Sequence, residues 1–156
     1  YHQCATHDDA SGPTLLIVAD DGGAKLGVFF AEQWKRSSKA YYGTGDMFVM
    51  SIDPIFRAYQ WTGRNSYFAC CADDQLMIGG GGDGYSIWLD EFFEVGTSAR
   101  SDTFDNEPLA SAPRFTPVTV EVWAFSVEGL AASKPSGVLG ISRERKGSRI
   151  GRKSVS

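Results

Sequence analysis

At 156 residues, 42% of them hydrophobic and 13% aromatic, the chain holds one domain's worth of core-forming sequence, and no apolar run approaches the roughly 18 residues of a membrane-spanning helix. The net charge of −4 conceals an acidic body, with 8 Lys+Arg against 18 Asp+Glu through Ser133, and a basic end, with 7 against 1 from Lys134 onward; an acidic body repels nucleic acid and other phosphate-rich partners. Three cysteines, Cys4, Cys70 and Cys71, do not form a disulfide framework: neighbours on a strand point to opposite faces and rarely bridge each other, and reduced thiols in an intracellular compartment are the simpler reading.

The chain opens at Tyr1 rather than Met and reads as a fragment, a processed product or an incomplete gene model. It shows no secretory signal. A cytoplasmic setting is expected, with mitochondrial and nuclear ones left open. Residues 1–12 are polar and irregular. Thr14–Asp20 is an apolar run closed by Asp20-Asp21-Gly22-Gly23, and Lys25–Phe30 follows; a four-residue Asp/Gly connection between two apolar runs is the pattern of a β-hairpin. Ala31–Ser38 is the best short-helix candidate, with Trp34 turned inward and Lys35 and Arg36 solvated. Met47–Ile52, ended by Asp53-Pro54, and Phe56–Trp61 read as strands, as do Tyr67–Cys71, Gln75–Gly79, Tyr85–Leu89 and Phe92–Val95. Residues 96–114 read as a long loop.

Phe115–Val127 is the longest strand candidate. Val118, Val120, Val122 and Ala124 form one face, while Thr119, Glu121, Trp123 and Phe125 form the other. Apolar residues on both faces predict burial between layers. Many short strands at turn spacing predict a mainly β fold with minor α content: a two-sheet antiparallel β-sandwich with short peripheral helices. Residues 128–156 are Ser/Gly-rich and basic and read as a disordered tail, whose Arg143–Ser156 stretch offers weak electrostatic contact to an acidic membrane.

Several chemistries find no support. The two histidines, His2 and His7, sit at the terminus, so a Ser-His-Asp or Cys-His site lacks a well-placed base, and no Cys/His spacing of the metal type occurs. Gly79, Gly81 and Gly84 satisfy G-x-G-x-x-G, yet a strand rather than a helix follows, no G-K-[ST] is present, and Asp83 repels phosphate. These glycines are assigned to positive φ or to close backbone packing. No acidic cluster fits a calcium loop. A paired-carboxylate glycosidase stays open only because spatial separation is unreadable. Neither a metal nor a cofactor is expected. Glu121, beside Trp123 in mid-strand, should be paired, edge-exposed or at a contact surface. Cys70 and Cys71 form a redox site only if a cation or helix N-terminus lowers a thiol pKa, and neither is evident nearby.

Seven pieces in order resemble the TLDc domain. They are Gly12-Pro13-Thr14-Leu15-Leu16; Gly27-Val28-Phe29; Tyr41-Tyr42-Gly43-Thr44-Gly45-Asp46-Met47-Phe48; Tyr59-Gln60-Trp61-Thr62-Gly63-Arg64-Asn65-Ser66-Tyr67-Phe68; the glycine run with Ile87-Trp88-Leu89-Asp90; Thr103-Phe104-Asp105-Asn106-Glu107-Pro108-Leu109; and Val120-Glu121-Val122-Trp123-Ala124-Phe125. The resemblance implies a sandwich domain over residues 1–127 that lacks its usual N-terminal helix and strand, and Asp46 replaces a usual Glu. It implies no established active site, a role in resistance to oxidative damage, and binding to the peripheral sector of the vacuolar proton-ATPase. On this reading the chain is a non-catalytic binding module, with Gly43, Gly45, Gly79, Gly81 and Glu121 as partner-contact or loop-bracing residues. The alternative is a redox protein using Cys70 or Cys71.

Overall fold

A computed structural model describes residues 12–32, 34–37, 40–125 and 142–144. Among them are eleven strands and no helix: β1 (Thr14–Asp20), β2 (Lys25–Phe30), β3 (Phe48–Asp53), β4 (Arg57–Gln60), β5 (Ala69–Cys71), β6 (Gln75–Ile78), β7 (Ile87–Asp90), β8 (Gly96–Thr97), β9 (Arg114–Phe115), β10 (Pro117–Ala124) and β11 (Ser142–Glu144). They form two antiparallel sheets. One has the order β11-β10-β1-β2-β3-β4, the other β5-β6-β7-β8-β9. Strand β1 lies between its hairpin partner β2 and the distant β10, so that Thr14 faces both Phe30 and Ala124.

Alternation explains why the sheets share a core. In β1 every second residue is buried, which turns Leu16 and Val18 inward. Leu26, Val28, Phe30, Val49 and Val120 from the first sheet join Leu76, Ile78, Ile87, Leu89 and Phe115 from the second in a single hydrophobic cluster. Each such side chain contributes about 1.5–3 kcal/mol on leaving water.

Four expectations about local structure are corrected. The loop expected over residues 96–114 carries strand at both ends, β8 and the first residue of β9. Ala31–Ser38 has no helical turn among its described residues. Instead the Trp34 ring packs 4.0 Å from Phe30, and Ser37 bonds to the edge of β5: its N–H donates to the Cys71 carbonyl at 3.0 Å, and its hydroxyl oxygen accepts the Cys71 N–H at 2.9 Å. Phe92–Val95 is a turn, because Asp90 Oδ1 accepts the N–H groups of Glu94 and Val95 at 2.7 and 3.0 Å and Phe93 takes φ 58°. β10 is not buried on both faces: Val120 is fully buried, whereas Val118 is 40% exposed and Glu121 through Ala124 are half-buried. The expected disordered tail lies outside the described residues except at β11, which pairs with Val122–Ala124.

Candidate functional site

The glycine run is the turn between β6 and β7, and the loop from Ser98 to Pro113 folds over it. Asp102 N–H donates to the Gly80 carbonyl at 3.0 Å, Asp83 N–H to the Arg100 carbonyl at 3.0 Å, and Ala99 N–H to the Tyr85 carbonyl at 2.9 Å. A third segment, Trp61–Phe68, joins them. Thr62 N–H donates to the Thr103 carbonyl at 2.9 Å. Asn65 Oδ1 accepts the Thr103 hydroxyl at 2.6 Å and the Tyr67 N–H at 3.0 Å, and the Gly80 N–H donates to Thr103 Oγ1 at 3.0 Å.

Beneath the loops lies a buried polar knot. Asn106 Oδ1 accepts the Ser86 hydroxyl at 2.7 Å and the Ser101 hydroxyl at 3.2 Å. Its amide donates to the carbonyls of Ala99 and Glu107, each at 2.9 Å. Ser98 donates to the Ser86 carbonyl and accepts the Leu109 N–H. Ser86, Ser98, Ser101, Thr103 and Asn106 are all buried. Their mutual bonding removes the cost of holding hydroxyls and an amide away from water.

The glycines fit as backbone geometry. Gly79, Gly81 and Gly82 lie at φ 76°, 76° and 64°, the left-handed region that a β-carbon opposes. At Gly79 an added Cβ would also meet Ser86 Oγ at 2.5 Å and Ser101 Oγ at 2.9 Å. Gly45 accepts the flat ring of Trp61, which occupies the space a side chain would need. Gly43 backs onto Phe68 and Met47, and Gly80 onto the Tyr67 ring. Both expected glycine elements therefore sit against one segment, Trp61–Phe68.

Around them the surface is aromatic and charged. Trp61 is 40% and Tyr67 45% exposed, and the Trp61 indole N–H donates to the Asn65 carbonyl at 2.7 Å. Arg100 binds Asp105 at 2.8 Å and Asp102 at 3.2 Å, while Arg64 stands 3.8 and 3.9 Å from the same carboxylates. The hydrogen bond that Arg100 donates to Asp105 is the main reason its guanidinium is held above its ordinary pKa. A separate open groove of about 510 Å³ lies beside the β3–β4 turn and includes Asp53, Ile55, Arg57 and Glu107 in its lining.

The other expected residues lie elsewhere. Glu121 is on β10 opposite Ile17, where its Oε1 accepts the Trp123 indole N–H at 3.0 Å; that bond braces Trp123, not the glycine loops. Cys70 is a free thiol, 1% exposed, accepting the Ser37 hydroxyl at 3.5 Å. Cys71 is disulfide-bonded rather than reduced. The two neighbours do not bridge each other, because Cys70 stays free. Among the described residues no group of three or more His, Cys, Asp or Glu could hold a metal ion.

Sequence reasoning missed Asn65, Ser86, Ser98, Ser101 and Asn106. Their signal is weak: small polar residues flanking glycine turns can bond to backbone instead of water.

The chain matches the TLDc domain family model over residues 2–126. It is 36% identical over 113 residues to Oxidation resistance protein 1 of Rattus norvegicus, covering 72% of this chain and 13% of that protein. It is 35% identical over 125 residues to Nuclear receptor coactivator 7 of Homo sapiens, covering 80% of this chain and 13% of that protein. The matched stretch thus spans 13% of the length of these relatives.

Proposed function

The chain belongs to the TLDc domain family, and on that premise we propose that it is a non-catalytic binding module, built as a two-sheet sandwich. It serves resistance to oxidative damage by docking onto a protein partner, the peripheral sector of the vacuolar proton-ATPase. The oxidative role is supported by the family match and by its likeness to Oxidation resistance protein 1. The single observation that carries the docking reading is the convergence of both glycine loops on Trp61–Phe68. That arrangement holds two exposed aromatic rings rigidly beside Arg64 and Arg100. Rigid aromatic and arginine side chains on a pre-organised surface are the usual anchors of protein contacts. The polar groups below this surface bond to one another, which suits support of a surface better than turnover of a substrate. A cytoplasmic setting belongs to the same proposal, with mitochondrial and nuclear ones left open; among the described residues no helix is long and apolar enough to cross a membrane.

The test is capture from a cell lysate without added reductant, with and without nucleotide. Recovery of proton-ATPase subunits is expected, and recovery of none overturns the reading. Arg64→Ala should separate docking from folding. Its ion pairs are long and half-exposed, so stability should change by less than about 0.5 kcal/mol, while capture falls. Equal capture by the variant would remove Arg64 from the contact surface.

The thiol alternative now rests on Cys70 alone, and its burial opposes reaction with peroxide. Cys70→Ser should retain full peroxide protection in a complementation assay. Loss of protection, with the melting temperature unchanged, would favour the thiol reading.

A further inference from the structure

Tyr41 and Tyr67 form the tyrosine–tyrosine ring contact among the described residues, with centroids 4.9 Å apart and planes inclined by 33°. Both rings stand on anchored backbone. Tyr67 lies against the backbone of Gly80, where an added Cβ would come within 3.0 Å of its ring, and its N–H is held by Asn65. Tyr41 directly precedes Tyr42, whose backbone exchanges hydrogen bonds with Ala69 at 2.8 and 3.0 Å. Tyr67 is 45% exposed, so an oxidant from solvent reaches the pair. Tyr85 faces the Tyr41 hydroxyl.

We propose that Tyr41 and Tyr67 are an oxidative modification site, at which one-electron oxidants close an intramolecular dityrosine bond. Two oxidant equivalents, such as the ferryl haem of a peroxidase, each remove one electron from one phenol, and each phenol releases its hydroxyl proton to water. The two phenoxyl radicals join through ring carbons ortho to oxygen. Tautomerisation then moves each ortho hydrogen to its phenol oxygen. The net change is the loss of two electrons and two protons, with two oxidant equivalents reduced. Burial first, and then Tyr85, Cys70 and Tyr67, push the Tyr41 phenol up to about 12, so it enters the reaction neutral and proton loss accompanies electron loss. Proximity decides the pairing: side chains already held in contact couple faster than two chains meeting in solution. The bond would tie the segment carrying Gly43 and Gly45 to Trp61–Phe68. The site stands on ring geometry alone and does not depend on the docking reading.

The experiment treats dilute protein with photo-oxidised tris(bipyridyl)ruthenium and persulfate, then isolates the monomer. The expected product is lighter by two hydrogens, shows dityrosine fluorescence, and joins the tryptic segment containing Tyr41 to the segment containing Tyr67. Tyr41→Phe and Tyr67→Phe should each abolish it, and Tyr85→Phe should retain it. A monomer without the cross-link, a cross-link that survives Tyr67→Phe, or dityrosine found only between chains would overturn the proposal.

Discussion

Replacing Asp20 with Ala is expected to destabilise the fold by about 3 kcal/mol, because hydrogen bonds to an ionised acceptor contribute roughly 1.5–3 kcal/mol each and water replaces only some of them. Asp20 is 4% exposed. Its Oδ1 accepts the N–H groups of Gly22 and Ala24 at 2.9 and 2.8 Å, and its Oδ2 accepts that of Ser111 at 2.7 Å. One carboxylate thus closes the β1–β2 turn and pins the loop of the second sheet onto it. Burial pushes the Asp20 carboxyl up, but the Ser111, Ala24 and Gly22 donors outweigh it and hold the group below its ordinary value of 3.8. With the folded value the lower one, this stabilisation is fully present above the unfolded pKa and is lost as pH falls through the folded pKa. Urea melts across the acid range should show that limb, and Asp20→Asn should flatten it while setting an amide NH₂ against the Ser111 N–H. A midpoint at neutral pH that is unchanged in Asp20→Ala would overturn this account.

Gly79→Val should have the larger effect. The backbone conformation at φ 76° costs a side chain about 1–2 kcal/mol, and forcing atoms into a packed interior costs about 1–3 kcal/mol more. The new Cβ would also part the Ser86–Ser101 bond of 2.7 Å. Against a total stability of roughly 5–15 kcal/mol, a loss on the order of 4 kcal/mol leaves a protein that is largely insoluble or melts far below the parent. Gly81→Val provides the contrast. Its nearest neighbours, the side chains of Asn65 and Asp102, stand at 3.1 Å, so strain dominates and the variant should fold, with the loop surface altered. Circular dichroism melts of the two variants check the ranking, and equal melting temperatures would contradict it.

The hairpin Thr14–Phe30 was legible because two short apolar runs flank an Asp/Gly-rich turn. The glycine run was legible as backbone geometry because a strand follows it. Ala31–Ser38 and Phe92–Val95 were misread for a common reason: a distant or side-chain partner took the backbone donors that local pattern assigned to helix or strand. Ser37 bonds to Cys71, and Asp90 bonds to Glu94 and Val95. Opposite strand faces separate Cys70 from Cys71 as partners, but the sequence does not show that Cys71 is disulfide-bonded while Cys70 stays free. The polar knot was invisible because Ser98, Ser101 and Asn106 look like solvated loop residues, and Ser86 like an ordinary strand residue, until the segments are brought together. For Glu121 the sequence left pairing, an exposed edge and a contact surface open; its carboxylate accepts the indole N–H of Trp123 two residues away.

The place of β1 between β2 and β10 also sets an order of events during synthesis. Thr14 meets Phe30 early, but its other neighbour, Ala124, leaves the ribosome only after both sheets' remaining strands except β11. Until then one edge of β1 carries unpaired N–H and C=O groups, open to the wrong strand. Closure through so distant a pairing belongs to the slow class, on the order of milliseconds to seconds. A chain stopped before Pro117 would therefore keep its hairpins and lack a closed sheet, and the nascent chain would be most prone to aggregate in that interval.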